Sequence, residues 1–129
     1  MALIAGGQWF HPHSAAAWKT IQCLIDLQAR GGGDALIGRR LYPLVRAAGF
    51  RQVRVSPRFV YADASRPAWV EGFTRNTYIA MVEGVRDQAL AARMIDRQAW
   101  RRGIADLKAS ADPGGVFCYT FFKAVAVKA

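Results

Sequence analysis

The sequence predicts an α/β fold in which helices cover a terminal antiparallel strand pair. In residues 39–48, apolar side chains recur at helical spacing, and Gly49 follows where a left-handed helix end is expected. Residues 52–61 then alternate in the manner of a strand. Residues 116–127 form a second extended run with apolar groups on both faces. Helix, glycine and strand in this order are typical of an α/β unit.

Helical periodicity and cap residues predict three further helices. The first spans about 14–30, begins at the N-cap Ser14 and ends at residues 31–33, a glycine triplet that we interpret as a linker. The second spans about 66–92, with Ser65 as N-cap and Pro67 in the first turn. The third spans about 96–109 and begins at Asp96. Residues 62–115 therefore form a helical insert between the two strands.

The N-terminal residues predict one short strand and a loop. Residues 2–5 are apolar, and Gly6 and Gly7 are expected to end the strand that they form. Residues 9–13 are then predicted to be a loop. Because 129 residues are enough for one domain with a buried core, we treat residues 1–129 as a single domain.

The composition is globular and strongly basic. Hydrophobic residues make up 53% of the chain and charged residues 21%, which is not typical of a disordered protein. The formal net charge of +9 comes from 14 arginines and 4 lysines against 9 acids. This surplus indicates either an anionic partner or an arginine-rich solvated surface, and the arginines form no long run of the kind that favours nucleic acid.

The two cysteines predict neither a disulfide nor a metal site. Cys23 and Cys118 stand alone among apolar residues, without a CxxC or paired-histidine pattern, so we expect buried free thiols. No apolar run has the length of a membrane span, and residues 1–7 lack the features of a signal peptide. The expected location is therefore a reducing cytoplasm, without a membrane partner.

Two of these stretches resemble a known family. The segment 41–50, LYPLVRAAGF, with the arginine- and valine-rich strand after it, resembles the last helix-to-strand step of class I S-adenosylmethionine-dependent methyltransferases. The segment 117–124, FCYTFFKA, resembles the strand that commonly closes that domain. The resemblance covers roughly residues 1–128, but only against the C-terminal half of such an enzyme. It implies a Rossmann-like fold whose last two strands are antiparallel, with residues 62–115 as a substrate cap.

The resemblance also implies methyl transfer from S-adenosylmethionine to a small organic acceptor, mainly by positioning. In that family, a glycine-rich loop and an acidic residue on the ribose hold the cofactor. This sequence contains neither of them, and residues 5–8 lack the acidic side chains that relatives tend to carry there. We therefore assign no cofactor-binding residue and expect the chain alone to bind S-adenosylmethionine weakly or not at all.

The candidate site residues all belong to the substrate side. His11 is a candidate general base, with a solvated loop histidine as the alternative. Seven residues are candidates for lining a substrate pocket, by aromatic stacking or from the inner face of the insert helix, and ordinary core packing is the competing interpretation. These residues are Trp9, Phe10, Phe73, Asn76, Thr77, Met81 and Tyr119.

Three hypotheses for function remain open. The first is the C-terminal portion of a methyltransferase, truncated or split, that is not active alone. The second is a non-catalytic small-molecule-binding or dimerisation module, because a small sheet leaves unpaired strand edges. The third, and least favoured, is a basic nucleic-acid-binding protein. Under the first two we expect either a homodimer or a partner chain that supplies the missing half.

Overall fold

A three-stranded antiparallel sheet organises the molecule. The computed structural model describes residues 2–129, with side chains from residue 7 onward, so Met1 of the predicted domain lies outside it. The strands are β1 (Ala2–His11), β2 (Arg51–Ala62) and β3 (Val116–Val127), in the spatial order β1-β3-β2. Because β3 is antiparallel to both neighbours, β1 and β2 run parallel to each other on either side of it.

Helical segments fill the two connections between the strands. They are α1 (Ala15–Arg30), a 3-10 segment (Ile37–Arg40), α2 (Leu41–Ala47), α3 (Pro67–Trp69), a π-helical segment (Val70–Ile79), α4 (Ala80–Glu83), α5 (Arg86–Ala91) and α6 (Arg97–Ala109). The predicted α/β class and the pairing of the last two strands are confirmed. None of the helices in residues 2–129 has both the length and the apolar character needed to cross a membrane.

Several local predictions are confirmed by cap geometry. The Ser14 hydroxyl accepts a hydrogen bond from the Ala17 amide at 3.0 Å, and so begins α1. The Asp96 carboxylate accepts one from the Ala99 amide at 2.8 Å and begins α6. Gly49, after α2, has a φ of +90°, a backbone conformation that favours glycine. Both cysteines are free and buried, as predicted.

The prediction for the N-terminal strand is wrong in its end point. The glycines at 6 and 7 do not end β1, and residues 9–11 are strand rather than loop. The register between β1 and β3 shifts between Ala5 and Gly7, where Gly7 has a φ of +144°. A glycine can absorb such a bulge inside a strand because it has no Cβ. The predicted strand over residues 2–5 therefore continues to His11 and pairs with β3, beside the predicted pair.

The predicted single helix over 66–92 is also wrong. Its start is not capped by Ser65, because the Ser65 hydroxyl donates to the Asp63 carboxylate at 2.6 Å in a local turn. From Val70 to Ile79 the winding is π-helical, and Gly84 ends α4 before α5 begins. The predicted helix over 39–48 begins as a 3-10 segment, with Pro43 in the first turn of α2 as expected.

The sheet has two unequal faces. The helical face carries Phe10, Phe117 and Tyr119, and α1, the π-helical segment and α6 cover it to form the main core. The open face carries Trp9, Tyr61 and Cys118. At the other end of the open face, Leu41 of α2 and Ala124 of β3 are buried outside the main core cluster. Since α2 contacts β2 and β3, it covers that end and leaves the aromatic end exposed.

Candidate functional site

A small cavity on the helical face is the candidate functional site. It has a volume of about 250 Å³ and lies between α1, β1, the loop before the 3-10 segment and the helical insert. Its lining residues are Gln8, Leu24, Ile25, Gln28, Asp34, Ala35, Leu36, Ile37, Tyr78, Met81 and Tyr119. Two of the predicted substrate-binding residues, Met81 and Tyr119, therefore line one cavity.

Two tyrosines form the aromatic end of this cavity. The ring centroids of Tyr78 and Tyr119 are 5.5 Å apart. Burial raises the pKa of the Tyr119 phenol. The pKa of Tyr78 lies far above its ordinary value, mainly because the phenol is buried and to a smaller extent because of electrostatic repulsion from Tyr119. Both phenols are therefore protonated at neutral pH. They can donate hydrogen bonds to a ligand, but they do not act as general bases there.

An aromatic cluster behind the cavity fixes the position of Tyr119. The Phe73 ring lies 6.1 Å from that of Phe117, 5.7 Å from Tyr119 and 6.3 Å from Phe121. These are normal distances for tilted and edge-on aromatic pairs. Phe73 was predicted to line the pocket, but it packs behind it and belongs to the wall that holds Tyr119 in place.

The π-helical winding explains why two predicted pocket residues point elsewhere. An α-helix would place Phe73, Thr77 and Met81 on one face, but the wider π-helical turn brings Tyr78 inward in place of Thr77. Thr77 is exposed, and its hydroxyl donates to the Gly72 carbonyl at 2.7 Å, five residues earlier. Asn76 is exposed as well. Neither residue lines the cavity.

The predicted residues at 9–11 are divided between the two faces by strand alternation. Phe10 is buried on the helical face, with its ring 5.1 Å from that of Trp18. Trp9 lies on the open face, 6.1 Å from the Tyr61 ring. His11 is exposed at the end of β1, opposite Val116. The structure thus does not bring Trp9, Phe10 and His11 into one pocket.

The loop over the cavity contains residues that the sequence reasoning missed. Asp34 accepts a hydrogen bond from the Leu36 amide at 2.9 Å and forms an ion pair with Arg40 at 2.6 Å. The Arg40 guanidinium and that amide hold the pKa of the Asp34 carboxyl below its ordinary value. These contacts fix the loop that supplies residues 34–37 to the lining. The sequence pattern does not predict Gln8 and Tyr78, because it ends the first strand before residue 8 and favours an α-helix where the insert is π-helical.

One buried hydroxyl beside this region has no partner. Thr74, in the π-helical segment, has no exposed surface, and its Oγ1 makes no hydrogen bond. An unpaired buried hydroxyl costs about 1–3 kcal/mol, so the segment tolerates one unsatisfied hydrogen-bonding group. Within residues 2–129, no group of three or more histidine, cysteine, aspartate or glutamate side chains is arranged to hold a metal ion.

Comparison with known proteins does not assign this chain to a family. No protein-family model matches the chain, and no curated protein gives a significant match. The resemblance to methyltransferases therefore depends on the sequence segments 41–50 and 117–124.

Proposed function

We propose that this chain is the acceptor-binding, C-terminal portion of an S-adenosylmethionine-dependent methyltransferase that acts on a small organic molecule. The observation that carries the proposal is the order of its strands. β1 and β2 are parallel, β3 lies between them and antiparallel to both, and residues 63–115 form a helical insert before β3. Within this arrangement, the antiparallel β2–β3 pair and the helical insert agree with what the resemblance implies for the end of such a domain.

The cavity supports an acceptor with one ring. An apolar cavity of about 150 Å³ is enough to hold benzene, so about 250 Å³ leaves room for a substituted ring. Leu24, Ile25 and Met81 supply an apolar surface, while Gln8 and the two tyrosines supply polar groups that can orient the ligand. Bound S-adenosylmethionine supplies an activated methyl group on its sulfonium. The role of this chain is to hold the acceptor, because its buried phenols keep their protons at neutral pH.

The outer edge of β1 is where a cofactor-binding portion would join the sheet. In the strand order β1-β3-β2, only one edge of β1 is paired within the described chain. An unpaired edge offers a row of amide and carbonyl groups to a further strand. Under this proposal, that strand comes from a partner chain that carries the glycine-rich cofactor loop.

Calorimetric titration with S-adenosylmethionine and its demethylated product tests whether this chain binds the cofactor by itself. We expect no heat from the chain alone at millimolar ligand, because the loop and the ribose-binding acid are missing from it. Micromolar binding by the isolated chain would contradict this assignment. A parallel series titrates small phenols and aromatic acids against the wild-type chain and Tyr119→Ala. Loss of their binding in the variant would support the acceptor cavity, and equal binding to both proteins would refute it.

The second candidate function is a non-catalytic small-molecule-binding or dimerisation module. The cavity favours it, since this chain assembles that cavity entirely from its own residues. It predicts that the chain binds aromatic ligands. It also predicts that the chain shows no methyl transfer even when it is purified together with its partner chains. It further predicts a dimer joined at the unpaired edge of β1, which light scattering detects. A monomer with unchanged ligand binding would reject dimerisation and leave ligand binding as the function.

A further inference from the structure

A second concave surface lies on the far side of the helical insert. This groove, which we name the α5–α6 groove, has a volume of about 630 Å³ and lies between α4–α5 and α6. Its lining residues are Glu83, Gly84, Arg86, Asp87, Leu90, Arg97, Trp100, Arg101, Ile104, Ala105 and Lys108. The cavity on the helical face shares none of these residues, so the two surfaces are separate.

The groove combines an apolar floor with a row of cations. Trp100 and Ile104 are buried and contribute little surface, so the floor presents a narrow apolar strip formed mainly by Leu90 and Ala105. On α6, the cations Arg97, Arg101 and Lys108 are separated by four and seven residues, so they form one row along the helix. An α-helix rises 1.5 Å per residue, which makes this row about 16 Å long.

Two of these cations are left without an acidic partner in the described chain. Lys108 pairs with Glu83 at 2.8 Å across the groove, and Arg86 pairs with its neighbour Asp87 at 3.0 Å. Both acids in the lining are thus already paired. Arg97 and Arg101 are exposed, and neither forms an ion pair with any of the residues 2–129. The groove therefore has a positive end that no ion pair within the described residues neutralises.

We propose that the α5–α6 groove docks an acidic amphipathic helix of a partner protein. The length of the cation row corresponds to about three helical turns, and the apolar strip between the walls can contact the apolar face of such a helix. Carboxylates that flank the apolar stripe of the partner reach Arg97 and Arg101, whose planar guanidinium groups bind carboxylates in a bidentate manner. A phosphodiester backbone fits this surface less well, because the floor is apolar and both walls meet at the Lys108–Glu83 pair.

The test uses the full chain and a synthetic peptide about four helical turns long, with leucine on one face and glutamate elsewhere. A scrambled peptide of the same composition and a lysine-for-glutamate version serve as matched ligands. Fluorescence anisotropy should detect binding of the acidic amphipathic peptide, weakening as salt is raised. Both matched ligands should bind at least about tenfold more weakly.

Paired charge reversals identify the surface. Arg97→Glu with Arg101→Glu should weaken peptide binding about tenfold or more. Arg46→Glu with Arg54→Glu changes the net charge equally at exposed positions outside the groove, and it should leave binding within about twofold. Unchanged thermal unfolding of both variants excludes a folding defect. The proposal is overturned if the scrambled peptide binds equally, if both variants lose binding equally, or if the groove variant loses binding to a DNA duplex while keeping the peptide.

Discussion

The helical face and the open face of the sheet share β3 at their centre, yet they are covered to very different degrees. On the helical face, Phe117 has no exposed surface and its ring lies 4.7 Å from that of Tyr78. On the open face, Phe59 on the neighbouring strand is 63% exposed, and Trp9 is 48% exposed. Burial of apolar surface is the main source of stability, so the helical face holds most of the folding free energy.

The two faces differ in burial because most of the helices pack on one of them. The segment between β2 and β3 and the long helix α1 all pack on the helical face, where α1 and α6 cross closely. On the open face, α2 contacts β2 and β3 near Ala124, and the 3-10 segment contacts β1 and β3. The aromatic end of the open face is an exposed apolar patch beside an unpaired strand edge, which is typical of a surface that contacts another chain.

The largest expected effect compares one phenylalanine from each face. Phe117→Ala should lower the free energy of unfolding by about 4 kcal/mol, because it leaves a cavity under the π-helical segment. Phe59→Ala should lower it by less than about 1 kcal/mol, since that ring is mostly exposed. Urea denaturation measures both values. Equal losses would show that the open face is covered in solution.

Close contact between helices gives the second prediction. A Cβ on Gly103 of α6 would lie 2.4 Å from the Ala16 carbonyl oxygen and 2.5 Å from the Thr20 methyl carbon of α1. Gly103→Ala should therefore cost about 3 kcal/mol through overpacking. A Cβ on Gly72 would meet nothing within 4 Å, so Gly72→Ala is the matched control and should leave stability unchanged or slightly higher. Similar melting temperatures for the two variants would contradict the observed crossing of α1 and α6.

A smaller effect concerns the thiol beneath the aromatic pair of the open face. Cys118 is paired in register with Trp9 on one side and Tyr61 on the other, and burial raises the pKa of its thiol. Trp9→Ala should expose this sulfur, lower its pKa and increase its alkylation rate about tenfold at mildly alkaline pH. Cys23, which belongs to the core of the helical face, is the internal control and should keep its rate. Mass spectrometry of the alkylated peptides gives both rates, and parallel acceleration would indicate general loosening.

The smallest effect concerns the segment that links the two faces. The pKa of Asp34 is held below its ordinary value of 3.8, chiefly by the hydrogen bond from Arg40. A depressed folded-state pKa contributes stability above the unfolded-state pKa, and this contribution is lost as pH falls through the folded-state value. Asp34→Asn should therefore lower the melting temperature slightly at pH 7 and reduce its fall below pH 3.8. A pH profile parallel to the wild-type profile would show that the ion pair does not contribute.

Local sequence signals were sufficient wherever a residue acts on its immediate neighbours. Ser14 and Asp96 begin their helices, Gly49 ends α2, and β2 and β3 pair as their alternation and position predict. Ser65 was misassigned because Asp63 competes for its hydroxyl. The glycines of β1 were misassigned because a strand paired with β3 can continue through a bulge.

The candidate site could be predicted only in part, for a geometric reason. Tyr119 and Met81 line the cavity, as predicted. Asn76 and Thr77 point outward, because the π-helical segment has more residues per turn than an α-helix and so brings Tyr78 inward. The π-helical segment packs against β3 through the rings of Phe73 and Tyr78. The local sequence pattern does not contain this contact. The α5–α6 groove was missed for the same reason, since α5 and α6 become two walls only when the chain folds back.

The sequence by itself determined the α/β class, the positions and caps of α1 and α6, the terminal strand pair and the burial of both cysteines, because these depend on period and on nearby residues. The tertiary structure alone decided the continuation of β1 to His11 and its pairing with β3, the winding of the insert, the division of Trp9 and Phe10 between two faces, and the two separate concave surfaces. Those features depend on contacts between residues far apart in the chain, which a one-dimensional pattern does not record.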